Sequence, residues 1–96
     1  MKVYQINYDL RKQRNYDALY QKIKSYSTWC HPLESCWLVV SSKSAEEISK
    51  ELYSVMDSDD GLLVTRLQSE AAWYNLDSKN SRVVTEWIQY NVGSAT

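Results

Sequence analysis

An α+β fold, built as a four-stranded antiparallel sheet with two helices on one face and a short third helix near the C-terminus, is the class this sequence predicts. Three observations predict it. Hydrophobic residues repeat with period two near residues 2–8 and with period 3.6 near residues 16–23 and 44–56. The resulting elements fall in the order βαββαβ. A hydrophobic share of 44%, with two Gly and one Pro in 96 residues, describes one globular domain and excludes a disordered chain.

The elements follow in order. Tyr4, Ile6 and Tyr8 alternate with Val3, Gln5 and Asn7, so Lys2–Tyr8 reads as a strand closed by Asp9. A charged connector, Leu10–Arg14, leads to Tyr16, Leu19, Tyr20 and Ile23 at i, i+3, i+4, i+7, an amphipathic helix with Asn15 placed as N-cap. Thr28–His31 and Cys36–Val40 read as strands joined by Pro32-Leu33-Glu34-Ser35, with Pro punctuating the turn. Ser44-Ala45-Glu46-Glu47 spells a capping box, followed by the stripe Ile48, Leu52, Val55, Met56. Asp57–Gly61 is an acidic turn, and Leu62–Leu67 is a fourth strand. The tail holds Trp73, a polar loop at Asn75–Asn80, a helix over Ser81–Tyr90 and a fraying end at Gly93–Thr96.

A βαββαβ order with right-handed crossovers gives the ferredoxin-like arrangement. The expected division is a ferredoxin-like core over residues 1–67 and a C-terminal extension over residues 68–96. Both phases of the third strand are apolar (Cys36, Leu38, Val40 and Trp37, Val39), as are both phases of the fourth, so the sheet face opposite the helices needs a cover. A second copy of the chain in a symmetric homodimer supplies one. Trp73 and Trp87 folding back from the extension would supply another.

Charge is segregated along a nearly neutral chain. Residues 1–30 hold six cations and two carboxylates, residues 31–60 two cations and seven carboxylates, and the formal net charge is −1. That balance removes a global electrostatic argument for nucleic-acid binding and leaves room for a local patch. No apolar run reaches the ~20 residues of a membrane span, and the polar start lacks the apolar run of a signal peptide, so a cytoplasmic protein without membrane attachment is expected. Cys30, His31 and Cys36 are too few for a closed zinc site, and the two thiols are expected to be free. The Asp57–Gly61 turn lacks the Gly and Glu positions of a calcium loop. An RNA-recognition module would need a Gly-aromatic pattern in the third strand, where Ser35–Val40 has none. Phosphate loops, Ser-nucleophile elbows and zinc-protease helices are all missing.

The strand ending in Asn7-Tyr8-Asp9-Leu10, the basic connector and helix after it, and the Ser-aromatic strand start Ser35-Cys36-Trp37 together resemble the smaller CRISPR adaptation protein. Within that superfamily the chain is most similar to the small SinR-like bacterial and phage proteins, and more distantly to virulence-associated protein D. The resemblance spans residues 1–67, with the Trp73 region matching the SinR-like tail. It implies ferredoxin-like subunits that pair through their sheets. It further implies a metal-dependent endoribonuclease or nuclease in which Asp9 of both subunits is the catalytic ligand of Mg²⁺ or Mn²⁺, and Arg11, Lys12 and Arg14 bind the phosphates of RNA or DNA. Other members of the superfamily are architectural. The alternative for this chain is therefore a non-enzymatic dimeric module that binds a protein or small nucleotide partner through its exposed Trp and Tyr side chains.

Overall fold

The computed structural model describes residues 1–12, 14–68, 70–76 and 81–92, without the side chains of 81–83. Residues 77–80 of the expected loop Asn75–Asn80 and the expected fraying at Gly93–Thr96 lie outside them. The alternating segment forms β1, Lys2–Asp9, at the middle of the sheet. It pairs antiparallel with β3, Cys36–Ser41, on one side and with β4, Gly61–Arg66, on the other. Outside β3 lies β2, Thr28–Leu33, which gives the order β2-β3-β1-β4 with β2 and β4 at the edges.

The expected four-residue connection between β2 and β3 is corrected. Pro32 belongs to β2, and the turn shrinks to Glu34 and Ser35. Pro has no N–H to give a ladder, and an edge strand does not ask for one on its open side. The register slips between Cys30, opposite Leu38, and Leu33, opposite Cys36, so three steps on β2 match two on β3. Such a bulge absorbs the Pro.

Two helices close one face. In α1, Asp17–Lys24, the N-cap position is held by Tyr16 and not by Asn15, although Asn15 Oδ1 accepts the Asp17 N–H at 2.8 Å. In α2, Ala45–Tyr53, both bonds of the capping box form, Glu47 N–H to Ser44 Oγ at 3.1 Å and Ser44 N–H to Glu47 Oε1 at 3.0 Å. Their stripes, Leu19 and Ile23 from α1 and Ile48 and Leu52 from α2, bury against Tyr4, Ile6, Tyr8, Trp37 and Val39. Val55 and Met56 pack on this core from beyond the end of α2.

The other face is closed from within the chain over half its width. Val84, Ile88 and Val92, from α3 (Ser81–Asn91) and the residue after it, bury Cys30, Cys36 and Leu38. Trp73 and Trp87 pack around them, and Trp87 Nε1 donates to Thr28 Oγ1 at 2.9 Å. The apolar second phase of β3 is thus satisfied by an amphipathic helix of the same chain. The β4 half differs: Leu63, opposite Asn7, is 62% exposed. No helix among the described residues is long and apolar enough to cross a membrane.

Candidate functional site

Asp9 sits at the end of β1, opposite Gly61 at the start of β4, and its phase with Val3, Gln5 and Asn7 turns it to the face opposite α1 and α2. It is highly exposed and borders a shallow concavity of about 290 Å³ with Asn7, Gly61 and Leu63. Gly61 lets the Arg11 side chain and Asp9 approach closely here. A Cβ at that position would lie 3.3 Å from both the Arg11 guanidinium and the Asp9 Cβ, tighter than ordinary van der Waals contact.

The connector after β1 does not stand free. Arg11 donates from Nε and Nη2 to Asp9 Oδ2, each at 3.3 Å, and from Nη1 to the Asp59 carbonyl at 2.8 Å. Lys12 Nζ lies 3.5 Å from Asp59 Oδ2, and Arg14 Nη1 donates to Asp57 Oδ1 at 3.4 Å. Each of the three cations expected to hold phosphates is therefore engaged by a carboxylate. The opposite charges of the two chain regions signalled this pairing. The acidic turn taken alone does not show it, because what brings the turn to the connector is the pairing of β4 with β1 in the sheet.

Tyr16 and Asp60 lock the two segments together. Asp60 Oδ1 accepts the Arg11 backbone N–H at 2.8 Å, and its Oδ2 accepts the Asp57 N–H at 2.9 Å. The buried Tyr16 hydroxyl lies 3.0 Å from Asp60 Oδ1 and 3.1 Å from Asp57 Oδ2, shares its one proton between them, and accepts the Lys12 N–H at 3.4 Å. Burial, then the two carboxylates beside it, push the Tyr16 hydroxyl up to about 12. For Asp60, burial works to raise the pKa, but the N–H groups of Arg11 and Asp57 and the Tyr16 hydroxyl stabilise the charged form and hold it below its ordinary value.

Mg²⁺ and Mn²⁺ favour about six oxygen donors in an octahedron. Asp9 offers one carboxylate, with a guanidinium already on Oδ2. No group of three His, Cys, Asp or Glu side chains able to hold a metal ion gathers among the described residues. A single subunit does not by itself fit the implied cation.

A second constellation lies at the β2–β3 hairpin. The His31 ring stacks on Trp37 with centroids 3.8 Å apart and planes 9° apart, and Trp29 lies 5.3 Å from Trp37. Lys24 places its ammonium 5.4 Å from the Trp29 ring centre. The Glu34 carbonyl accepts from the Tyr8 hydroxyl at 3.2 Å and from His31 Nε2 at 3.0 Å, while Tyr8 accepts Trp37 Nε1–H at 2.9 Å. A carbonyl can only accept, so Nε2 carries the proton and Nδ1 is left as an acceptor in the neutral ring. Burial, offset in part by the bond from Trp37, raises the Tyr8 hydroxyl above its ordinary value. Read as a zinc ligand, a strand-end residue or the one candidate for His-based acid/base work, His31 does not disclose this cluster; the alternation of Trp29 and His31 opposite Trp37 is the signal that does.

Cys30 and Cys36 are free and buried beneath α3. Burial pushes the Cys30 thiol up to about 12 and raises Cys36 as well, so neither is a thiolate nucleophile near neutrality. No family model, curated protein or solved structure matches the chain.

Proposed function

We propose that this chain is a ferredoxin-like subunit of a homodimer of the CRISPR-adaptation and SinR-like kind, and that it binds nucleotides or nucleic acid without cutting them. The fold assignment is supported by the order β2-β3-β1-β4, with β1 and β3 central and the helices that follow them packed on one face. One observation carries the functional choice. Around the connector, Arg11, Lys12 and Arg14 meet Asp9, Asp57, Asp59 and Asp60, three cations against four carboxylates, so the place expected to attract phosphates holds a local excess of negative charge. A polyanion is repelled from such a surface, which speaks against phosphate capture and cleavage at Asp9 and leaves binding to the aromatic cluster of Trp29, His31 and Trp37, where bases can stack.

The nuclease reading keeps one observation in its favour. Asp9 is exposed on the half of the sheet face that α3 leaves open, where a second copy could bring a second carboxylate. Labelled RNA and DNA, incubated with wild type and Asp9→Ala in Mg²⁺, Mn²⁺ or EDTA, separate the readings. Binding without cleavage by both proteins is the expected result. Metal-dependent cleavage by wild type that Asp9→Ala abolishes would overturn the proposal in favour of a shared Asp9 cation site.

A further inference from the structure

Behind the β2–β3 turn, a cavity of about 260 Å³ is lined by His31, Pro32, Leu33, Glu34 and Asn75. We propose that it is a guanine-binding site, a reading that rests on the proposed nucleotide or nucleic-acid association and gives it a location and a base preference. The size is the first argument. The cavity falls just under the roughly 300 Å³ at which sites for drug-sized ligands begin, so it suits one heterocyclic base.

The walls are the second. One face of the His31 ring is already stacked on Trp37, and His31 also lines the cavity, so a base bound there can extend the His31–Trp37 stack. Pro32 and Leu33 supply apolar surface, Leu33 being half exposed. Stacking of this kind is indifferent to base identity, because every base presents a π-face.

The polar groups supply the choice. The Glu34 side chain has no hydrogen bond or ion pair among the described residues, while its carbonyl is fixed by Tyr8 and His31. A carboxylate accepts two parallel bonds, and guanine alone among the common bases places two donors, N1–H and N2–H, side by side on one edge. Adenine and cytosine offer one exocyclic amine next to an acceptor, and uracil one N–H between two carbonyls, so each leaves a lone pair facing Glu34. Asn75, also without a side-chain bond among the described residues, sits at φ 51°, a left-handed conformation that Asn tolerates, and its amide can serve the acceptors of the purine.

The test follows the fluorescence of the tryptophans beside His31 while guanosine, adenosine, cytidine and uridine 5′-monophosphates are titrated into the full chain. A parallel titration uses a short single-stranded oligothymidylate with or without one dG. Saturable quenching by the guanosine nucleotide, about tenfold or more weaker in Glu34→Gln, is expected from the loss of one charge-assisted pair. Glu34 is exposed, so Glu34→Gln should unfold at the wild-type temperature. Tighter binding of the dG-containing strand than of the mononucleotide would identify the source as unpaired nucleic acid, and the reverse as a free nucleotide. Equal affinity for all four bases, no binding of any, or affinity unchanged by Glu34→Gln overturns the site. Nucleic-acid binding that ignores dG would overturn this inference and spare the proposed function, whereas guanosine nucleotide binding without any strand binding would leave the site standing and restrict the function to free nucleotides.

Discussion

The two faces of the sheet are closed by different means. The first is sealed by α1 and α2, and Ile6, Leu19, Ile23, Val39, Ile48 and Leu52 on it are wholly inaccessible. The second is covered by α3 over β2 and β3, with Val3 and Leu67 packed at its margin, leaving Leu63 and Asp9 at the other end of the same surface exposed. A face made by helices interleaved with the strands is committed as soon as the sheet forms. A face closed by a terminal segment can be opened without dismantling the rest, and Asp9 and Leu63 lie on that side.

The sharpest break in this comparison is Ile6→Ala. Ile6 is central in β1 and packed from both helices, so the truncation leaves a cavity that the surroundings cannot fill, and the expected loss is about 2–5 kcal/mol of stability in denaturant unfolding. A loss under 1 kcal/mol would mean that the helix face is no better sealed than the other.

Ile88→Asp tests the second face. Burying a carboxylate against Cys30, Cys36 and Leu38 is unfavourable enough to lift α3 from the sheet. The expected readout is rapid labelling of both thiols by an aromatic disulfide reagent at pH 8, against slow labelling in wild type, with the far-ultraviolet signal of the sheet and of α1 and α2 retained. Global unfolding by this substitution would instead make α3 an integral part of the core.

The charged lock between the connector and the acidic turn has a distinct pH signature. Asp60 is held below its ordinary pKa, and Glu51 is lowered too, first by its bond from Lys43 and then by that from Tyr26. Glu51 lies outside the lock and its contribution remains in Asp60→Asn; in the unfolded chain both carboxylates take protons near pH 4, while in the folded chain they resist protonation until lower pH. Their contribution is therefore fully present above about pH 4 and is lost as pH falls through the folded values. Asp60→Asn should flatten the acid limb of a melting-temperature profile. An unchanged limb would show that the lock contributes nothing to acid stability.

What the sequence disclosed and what it concealed divide along the same line. Tyr4, Ile6 and Tyr8 announced the helix face through a period of two, and Ser44 with Glu47 announced the start of α2 through a local pair of bonds. Both signals are contained in a few adjacent residues. Pro32 misled because its turn preference is local, whereas its tolerance in β2 depends on that strand lying at an edge. The engagement of Arg11, Lys12 and Arg14 by the 57–60 turn spans more than forty residues of sequence and exists only because β4 pairs with β1. The His31–Trp37 stack likewise needed the register of β2 on β3.

The smallest expected effect falls on the open half. Leu63 lies on an edge strand with its side chain on the Asp9 face, and in a lone subunit water already surrounds most of it. Leu63→Ser should change the stability of that subunit by no more than about 0.5 kcal/mol. In a dimer paired through this face the same side chain is buried by its counterpart, and unfolding becomes coupled to dissociation. Wild-type melting temperature should then rise with protein concentration, and Leu63→Ser should remove that dependence while light scattering falls to the mass of one chain. A concentration-independent wild type at monomer mass would sink the homodimer and leave Leu63 facing water. A dimer indifferent to Leu63→Ser would move the pairing to another surface, and with it the argument that two copies of Asp9 can meet.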